Sequence, residues 1–266
     1  MSNFELIIHP TATPVAFNLF GFPVRYYGLI ISVSMLVGFF LIGRFLEKRY
    51  SVDDYNKFID YSIYLVIFSL IGARIFYVIG SLSFYIDNPA EIIMIHHGGI
   101  SIWGCIIFGI LGLYLLSKFF KFSFSSHCAS ILIFLPLCQA IGRFGNFFNQ
   151  EAFGAPTEGF IKLFVDKQYR PEEYLDISYF HPAFLYESLF NLLIFVVLFF
   201  SFKKDYPKRT IFLYLILYSI VRIIVESIRI DSILNISSVP VAVIISAIVL
   251  IFGLIGFILS LKKPQN

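Results

Sequence analysis

The sequence predicts an all-α, polytopic membrane protein with about seven transmembrane helices, its N-terminus outside and its C-terminus inside. A small extracytoplasmic head is expected between the fourth and fifth helices. Three observations carry this expectation. Charged residues make up 14% of the 266 residues and hydrophobic ones 58%, whereas a water-soluble globule needs about a quarter of its residues charged to cover its surface. Apolar stretches long enough to cross a bilayer recur along the chain. Lysine and arginine, finally, gather in every second connection between those stretches.

A spanning helix needs roughly 20 mainly apolar residues. That criterion places spans at 24–46, 58–80, 100–119, 128–147, 184–202, 211–228 and 239–261. The first twenty residues contain no Lys or Arg and so lack the charged region that opens a cleavable signal peptide; the first span is expected to be retained. The connection after it holds Arg44, Lys48, Arg49 and Lys57. The one after the third holds Lys118 and Lys121, the one after the fifth Lys203, Lys204, Lys208 and Arg209, and the tail Lys262 and Lys263. The N-terminal arm before Arg25 and the segment 81–99 hold no Lys or Arg. Basic residues favour the cytoplasmic side, so this alternation fixes the predicted orientation. The one long connection, about 150–180, balances Lys162, Lys167 and Arg170 against Glu158, Asp166, Glu172, Glu173 and Asp176 and forms the head. The whole chain, 1–266, reads as a single integral membrane domain carrying that insertion.

The balance of charge excludes some functions. A net charge of +3 without any basic run does not suit nucleic acid. Cys105, Cys128 and Cys138 lie in apolar stretches without metal-ligand spacing and read as helix-packing residues. His96 and His97, in a loop without further ligands, do not make a metal site.

Charges inside spans cost about 2.5–3.5 kcal/mol each on insertion scales, and here they gather at the outer ends. Arg25 opens the first span and Arg74 lies in the outer half of the second. Trp103 begins the third. Arg143 and Asn146 end the fourth, with Glu151 just beyond. His181, Tyr186 and Glu187 start the fifth, and Arg222, Glu226 and Arg229 end the sixth. Tyr218, Arg222, Glu226 and Arg229 follow at intervals of four, four and three, which is one helical face. Arg143 and Asn146 likewise share a face, and Gly142 and Gly145 open the backbone there to close approach. Guanidinium groups bind phosphate in a two-pronged way, so several at one headgroup level point to a phospholipid phosphate. Plainer readings stay open: Arg222 with Glu226 as an ion pair that lets the helix insert, and Arg143, Arg25 and Arg229 reaching to the headgroups.

The segment 142–154, GRFGNFFNQEAFG, resembles the motif of the prolipoprotein diacylglyceryl transferase family, Gly-Arg-x-Gly-Asn-Phe-x-Asn-x-Glu-x-x-Gly, and matches it at every fixed position. RYYGL at 25–29, GARIFYV at 72–78, GGISIWG at 98–104, HPAFLYE at 181–187 and YSIVRIIVESIR at 218–229 extend the resemblance over nearly the whole chain. It implies a multi-pass enzyme of the bacterial plasma (inner) membrane, with its active site toward the extracytoplasmic side and no cofactor or metal. Such an enzyme moves the diacylglyceryl group of phosphatidylglycerol, drawn from the membrane lipid, onto the lipobox cysteine of a prolipoprotein signal peptide and releases glycerol phosphate.

On that basis Arg143, Arg222, Glu151 and Tyr27 are the catalytic candidates. Asn146, Gly142, Gly145, Asn149, Glu226, Arg229, Tyr218, His181 and Trp103 are the substrate-binding ones. The resemblance departs at Trp103, where well-studied members carry a His proposed as a catalytic base. Trp cannot take a proton, which leaves Glu151, His181 and Glu226 as candidates. A transporter or flippase for an anionic lipid or solute, and an inactive lipid-binding relative, are the alternatives.

Overall fold

The computed structural model describes residues 5–10, 13–94, 98–230, 235–236 and 239–261; His96, His97, Lys262 and Lys263 lie outside them. The described chain is mostly helical, with three small sheets. It divides into two compact units, residues 1–42 with 129–266, and residues 43–128.

The first unit opens with β1 (Leu6–Ile8) and a hairpin of β2 (Val15–Leu19) and β3 (Phe22–Arg25), which leads directly into α1 (Tyr26–Arg49). The hairpin turn places Phe20 at φ 49° and Gly21 at φ 88°. The second unit takes in the end of α1 from Gly43, and its helix α2 (Val52–Gly80) has a built N-terminus. Ser51 Oγ accepts from the Asp54 amide at 3.1 Å, and Asp53 and Asp54 occupy the first turn, where negative charge meets the positive end of the helix dipole. A short α3 (Leu82–Asp87) follows, then α4 (Ile102–Phe119) and the start of α5 (Phe124–Asn149). Beyond α5 come β4 (Ile161–Phe164), β5 (Tyr179–Phe180), α6 (Ala183–Ser201), α7 (Pro207–Glu226), the short pair β6 (Asn235–Ile236) and β7 (Val239–Pro240), and α8 (Val241–Leu261).

Among the described residues six helices, α1, α2, α4, α5, α6 and α8, are long and apolar enough to cross a membrane. Their flanks explain why: only 17% of the most apolar window of α8 is buried inside the protein, and Ile248, Ile251, Phe252, Ile255 and Leu259 are exposed along it. Such a surface needs a hydrocarbon solvent. Helix α7 spans 20 residues at the sixth predicted position, with Lys208 and Arg209 in its first turn and Arg222 and Glu226 near its end. These charges hold it below the apolarity of the other six.

Close packing within each unit uses glycine where backbones meet. In the second unit Gly72 of α2 and Gly104 of α4 face each other so tightly that a side chain on either would strike the other's backbone oxygen. In the first, Gly253 of α8 admits Ile216 of α7. Ser34 on α1 and Cys138 on α5 exchange bonds: Ser34 Oγ donates to the Cys138 carbonyl at 2.8 Å, and Cys138 Sγ to that of Ser34 at 3.4 Å.

The segment expected to form a small head at about 150–180 also recruits the N-terminal arm. Strand β1 pairs in parallel with β4, Leu6 beside Ile161, and β4 pairs antiparallel with β5. Phe153, Leu163, Val165, Phe180 and Phe184 form the core beneath this sheet, and Lys162 reaches Glu5 at 3.0 Å.

The second unit holds a polar network of its own. His127 is fully buried, its Nε2 lies 3.1 Å from Asp54 and its Nδ1 3.0 Å from the Tyr61 hydroxyl. A carboxylate can only accept, so the imidazole carries its hydrogen on Nε2 and accepts from Tyr61 on Nδ1. The members of the network come from the early turns of α2 and α5, and the network satisfies its own polar groups.

Candidate active site

The site is assembled in the first unit from the end of α5, the start of α6 and the end of α7. Its centre is Glu187, one turn into α6 and buried. Arg143 from α5 forms an ion pair with Glu187 Oε2. Arg229 Nη1 lies 3.4 Å and Arg222 Nη1 3.7 Å from Glu187 Oε1. Arg222 Nη2 also pairs with Glu226 at 2.8 Å. Three guanidiniums therefore face two carboxylates, a formal excess of one positive charge. Among the described residues Arg222 Nη1 has no hydrogen-bond partner, so one donor of the cluster is buried with its capacity unused.

Beside this cluster the end of α5 builds an acceptor. Asn146 Nδ2 and Asn149 Nδ2 both donate to Glu151 Oε1, at 2.9 and 3.2 Å, and Arg143 Nη1 reaches Asn146 Oδ1 at 3.5 Å. The chain turns there through Gln150 at φ 51° and Ala152 at φ 55°, a conformation that is uncommon without glycine. The buried Gln150 amide holds it: Nε2 donates to Asp166 Oδ2 at 2.6 Å, while Oε1 accepts from the Asp166 backbone at 2.7 Å. Glu151, between the two strained residues, is exposed.

The glycines of the motif act through contact. A Cβ on Gly145 would stand 2.7 Å from Tyr27 Cδ2, so its absence lets the Tyr27 ring of α1 lie on the α5 backbone; a Cβ on Gly142 would meet Ile31 at 3.2 Å. Gly154 passes between His181 and Ile228, its amide donating to the His181 carbonyl at 2.9 Å while the Ala155 amide donates to that of Ile228 at 2.8 Å. This strand-like clasp, which includes a bridge from Gly154 to Arg229, presents the Arg229 side chain. Arg229 is thus brought to Glu187 by the clasp and not by α7, which ends at Glu226. The shared helical face runs only through Tyr218, Arg222 and Glu226.

Of the residues singled out from the sequence, Arg143, Arg222, Arg229 and Glu226 converge on one cluster, and Asn146, Asn149 and Glu151 on the adjoining one. Three stand apart. His181 Nδ1 bonds Tyr186 at 3.2 Å, and Tyr218 stacks on Tyr214 with centroids 5.6 Å apart. Trp103 belongs to the second unit, where it is exposed as the second residue of α4. Arg74, also in that unit, is committed to its own loop: its guanidinium donates to the carbonyls of Glu91, Ile92, Met94, Gly98 and Gly99 and lies 5.3 Å above the Tyr85 ring. It organises the chain before α4 and is not a spare cation. Glu187, one of the outer charges to which the sequence gives no role, sits at the centre of the cluster. Its signal was an acid inside an apolar helix, which demands positive partners.

The model of the family described as prolipoprotein diacylglyceryl transferase matches residues 14–259. Three curated relatives named phosphatidylglycerol–prolipoprotein diacylglyceryl transferase are similar over most of their length. That of Thermotoga maritima is 39% identical over 258 residues, covering 94% of this chain and 86% of that protein. That of Clostridium novyi is 38% identical, covering 95% and 98%, and that of Staphylococcus aureus 37% identical, covering 91% and 86%.

Proposed function

The chain belongs to the prolipoprotein diacylglyceryl transferase family, and from that premise we propose that it is an enzyme transferring diacylglyceryl from phosphatidylglycerol to a prolipoprotein cysteine. The observation that carries the assignment of the site is the convergence of Arg143, Arg222 and Arg229 on buried Glu187, because the formal excess of one positive charge matches the single negative charge of a phosphodiester.

In the reaction the cysteine sulfur attacks the glyceryl carbon that bears the phosphate. A carbon–sulfur bond forms, the carbon–oxygen bond breaks, and its electron pair leaves on the phosphate as glycerol phosphate. Arg143 and Arg222 hold the phosphate and stabilise the charge that grows on it. Asn146 and Glu151 orient the headgroup glycerol, while Asn149 steadies Glu151. Tyr27, Glu226 and Arg229 shape the pocket, with Gly142 and Gly145 keeping the α5 backbone open. The thiol must lose its proton to become a nucleophile. Glu151 suits that task better than Glu226 or His181, because Glu226 is buried against Arg222 and His181 is bonded to Tyr186.

The topology that serves this chemistry counts α7 as a seventh span, with Arg222 near its end paired to Glu187 and Glu226. It puts the N-terminus, the 150–180 head and the site on the extracytoplasmic side of a bacterial plasma membrane, and treats 1–266 as one membrane domain. The alternation of Lys and Arg between connections supports that orientation. The partners are phosphatidylglycerol and signal peptides with a lipobox cysteine, and no nucleic acid. A transporter is disfavoured, since the named relatives are transferases.

Purified protein incubated with phosphatidylglycerol and a lipobox peptide is expected to add a diacylglyceryl group to the peptide cysteine, read by mass spectrometry, and Arg143→Ala is expected to abolish the gain. No gain, under conditions where another member of the family is active, would refute the activity and point to an inactive lipid-binding relative with Trp103 as the defect.

A further inference from the structure

The hairpin β2–β3 carries apolar residues that its own unit does not cover. In register, Leu19 faces Phe22 and Phe17 faces Val24, so these four share one face, and Asn18 and Pro23 the other. Phe17, Leu19 and Phe22 are exposed, and Phe20 at the tip is 93% exposed. The sequence has no Asp, Glu, Lys or Arg between Glu5 and Arg25. Pairing is confined to these two strands, and an isolated two-stranded hairpin is marginal in water.

The turn sharpens the point. Positive φ at both Phe20 and Gly21 is the pattern of a two-residue hairpin turn that favours Asn followed by Gly. Asn tolerates that conformation; a bulky side chain there is strained. The strain at Phe20 is not repaid by packing, since the side chain is almost wholly exposed and a Cβ on Gly21 would meet nothing within 4 Å. An apolar ring held at a strained tip and almost wholly exposed needs an apolar medium.

That medium adjoins the hairpin. Strand β3 ends at Arg25 and α1, a candidate membrane span, begins at Tyr26, so the hairpin grows directly out of the end of a spanning helix. Phe20 is five peptide units from the end of β3, a reach of roughly 15 Å in extended chain. This is the same end of α1 that meets the catalytic end of α5, where Tyr26 stacks on Phe148 with centroids 4.4 Å apart.

We propose that the β2–β3 hairpin is an interfacial anchor, dipping Phe20, Phe22 and Leu19 into the acyl-chain boundary of the leaflet beside α1. Aromatic and aliphatic side chains without nearby charge suit that depth, and Arg25 lies where it can meet the headgroups. The anchor would fix the start of α1, and with it Tyr27, against the bilayer. The inference rests on the membrane-spanning character of α1 and stands independently of the transferase reading.

The test uses the full chain in phosphatidylglycerol-containing vesicles. The protein has one tryptophan, Trp103, so the difference between Phe20→Trp and wild-type emission reports position 20. Blue-shifted difference emission, lost in lipid brominated along the acyl chain and spared by aqueous iodide, is expected without any peptide present. Emission quenched by iodide and shielded only after a lipobox peptide is added would make the hairpin a substrate contact and overturn the anchor. Emission shielded from both quenchers would mean packing against protein and would overturn it too.

Phe20→Asn provides a readout that local folding alone would move the other way. Asn suits the turn better than Phe, so a purely structural hairpin would exchange its β2 and β3 amides more slowly. A membrane anchor deprived of its tip would exchange them faster in vesicles than wild type does. Slower exchange would overturn the proposal.

Discussion

Replacing Glu187 by Gln keeps the side-chain volume and removes one charge from the centre of three guanidiniums. Exposed ion pairs contribute about 0.2–1 kcal/mol each, and removing one partner of a buried pair costs about 3–5 kcal/mol. The side chains of Arg143, Arg222 and Arg229 are 22%, 21% and 13% exposed and that of Glu187 is 4% exposed, so the cluster lies toward the buried limit. Arg143 pairs with Glu187 and Arg229 donates a hydrogen bond to it, while Arg222 keeps Glu226 when Glu187 is neutral. A loss of about 3 kcal/mol is therefore expected for Glu187→Gln, measured by denaturant unfolding in mixed micelles. A double-mutant cycle with Arg143→Gln should show coupling of about 1 kcal/mol or more, since neighbours in one charge network are not additive. A loss below about 0.5 kcal/mol together with an additive cycle would mean that Glu187 merely fills space, and the electrostatic account of the site would fail.

Two further substitutions separate packing from chemistry. Gly145→Ala puts a methyl 2.7 Å from Tyr27 Cδ2; the partly exposed ring can swing away, so stability should fall by only about 1 kcal/mol while peptide modification drops well below wild type. Adding Tyr27→Ala should restore the stability and not the activity. His127→Ala leaves a buried cavity and strands the buried Tyr61 hydroxyl, while Asp54, partly exposed, keeps its bond from Ser51; the change should cost about 2–4 kcal/mol, again read by unfolding. Because the network belongs to the second unit and the site to the first, the folded fraction should keep its specific activity. A lower specific activity would show that the network does more than hold its unit together.

What could be read in advance follows the range of the interactions. Arg143 with Asn146, and Arg222 with Glu226, were legible because a helix repeats every 3.6 residues and sets partners three and four apart on one face. The apolar spans were legible because bilayer thickness dictates their length. Glu187 belongs to α6 while its partners come from α5, α7 and the Gly154 clasp, and no periodicity links separate helices. Arg229 looked like the next residue on the α7 face because a spacing of three continues a helix as well as it ends one. The parallel pairing of Leu6 with Ile161 joins segments too distant for any local rule, and so the part of the N-terminal arm in the head was not legible. Phe20 was hidden differently: Phe–Gly is a poor hairpin signal, since the turn it makes normally selects Asn.

The carboxylates at the centre of the site bear on the direction of the proposed reaction. Three arginines without counter-charge would grip the phosphodiester tightly and the more highly charged released phosphate more tightly still, because the attraction grows with the charge on the ligand, and product would leave slowly. Glu187 and Glu226 cancel two of the three charges and hold the guanidiniums in place before substrate arrives, which spares their ordering when the phosphate binds. The phosphate then meets a net charge equal and opposite to its own. As the carbon–oxygen bond breaks, negative charge grows on the leaving oxygen, and the buried, unbonded Nη1 of Arg222 is a donor able to strengthen its hold at that moment. The same two carboxylates disfavour the more highly charged product once it has formed, so the arrangement that steadies the transition state also promotes release.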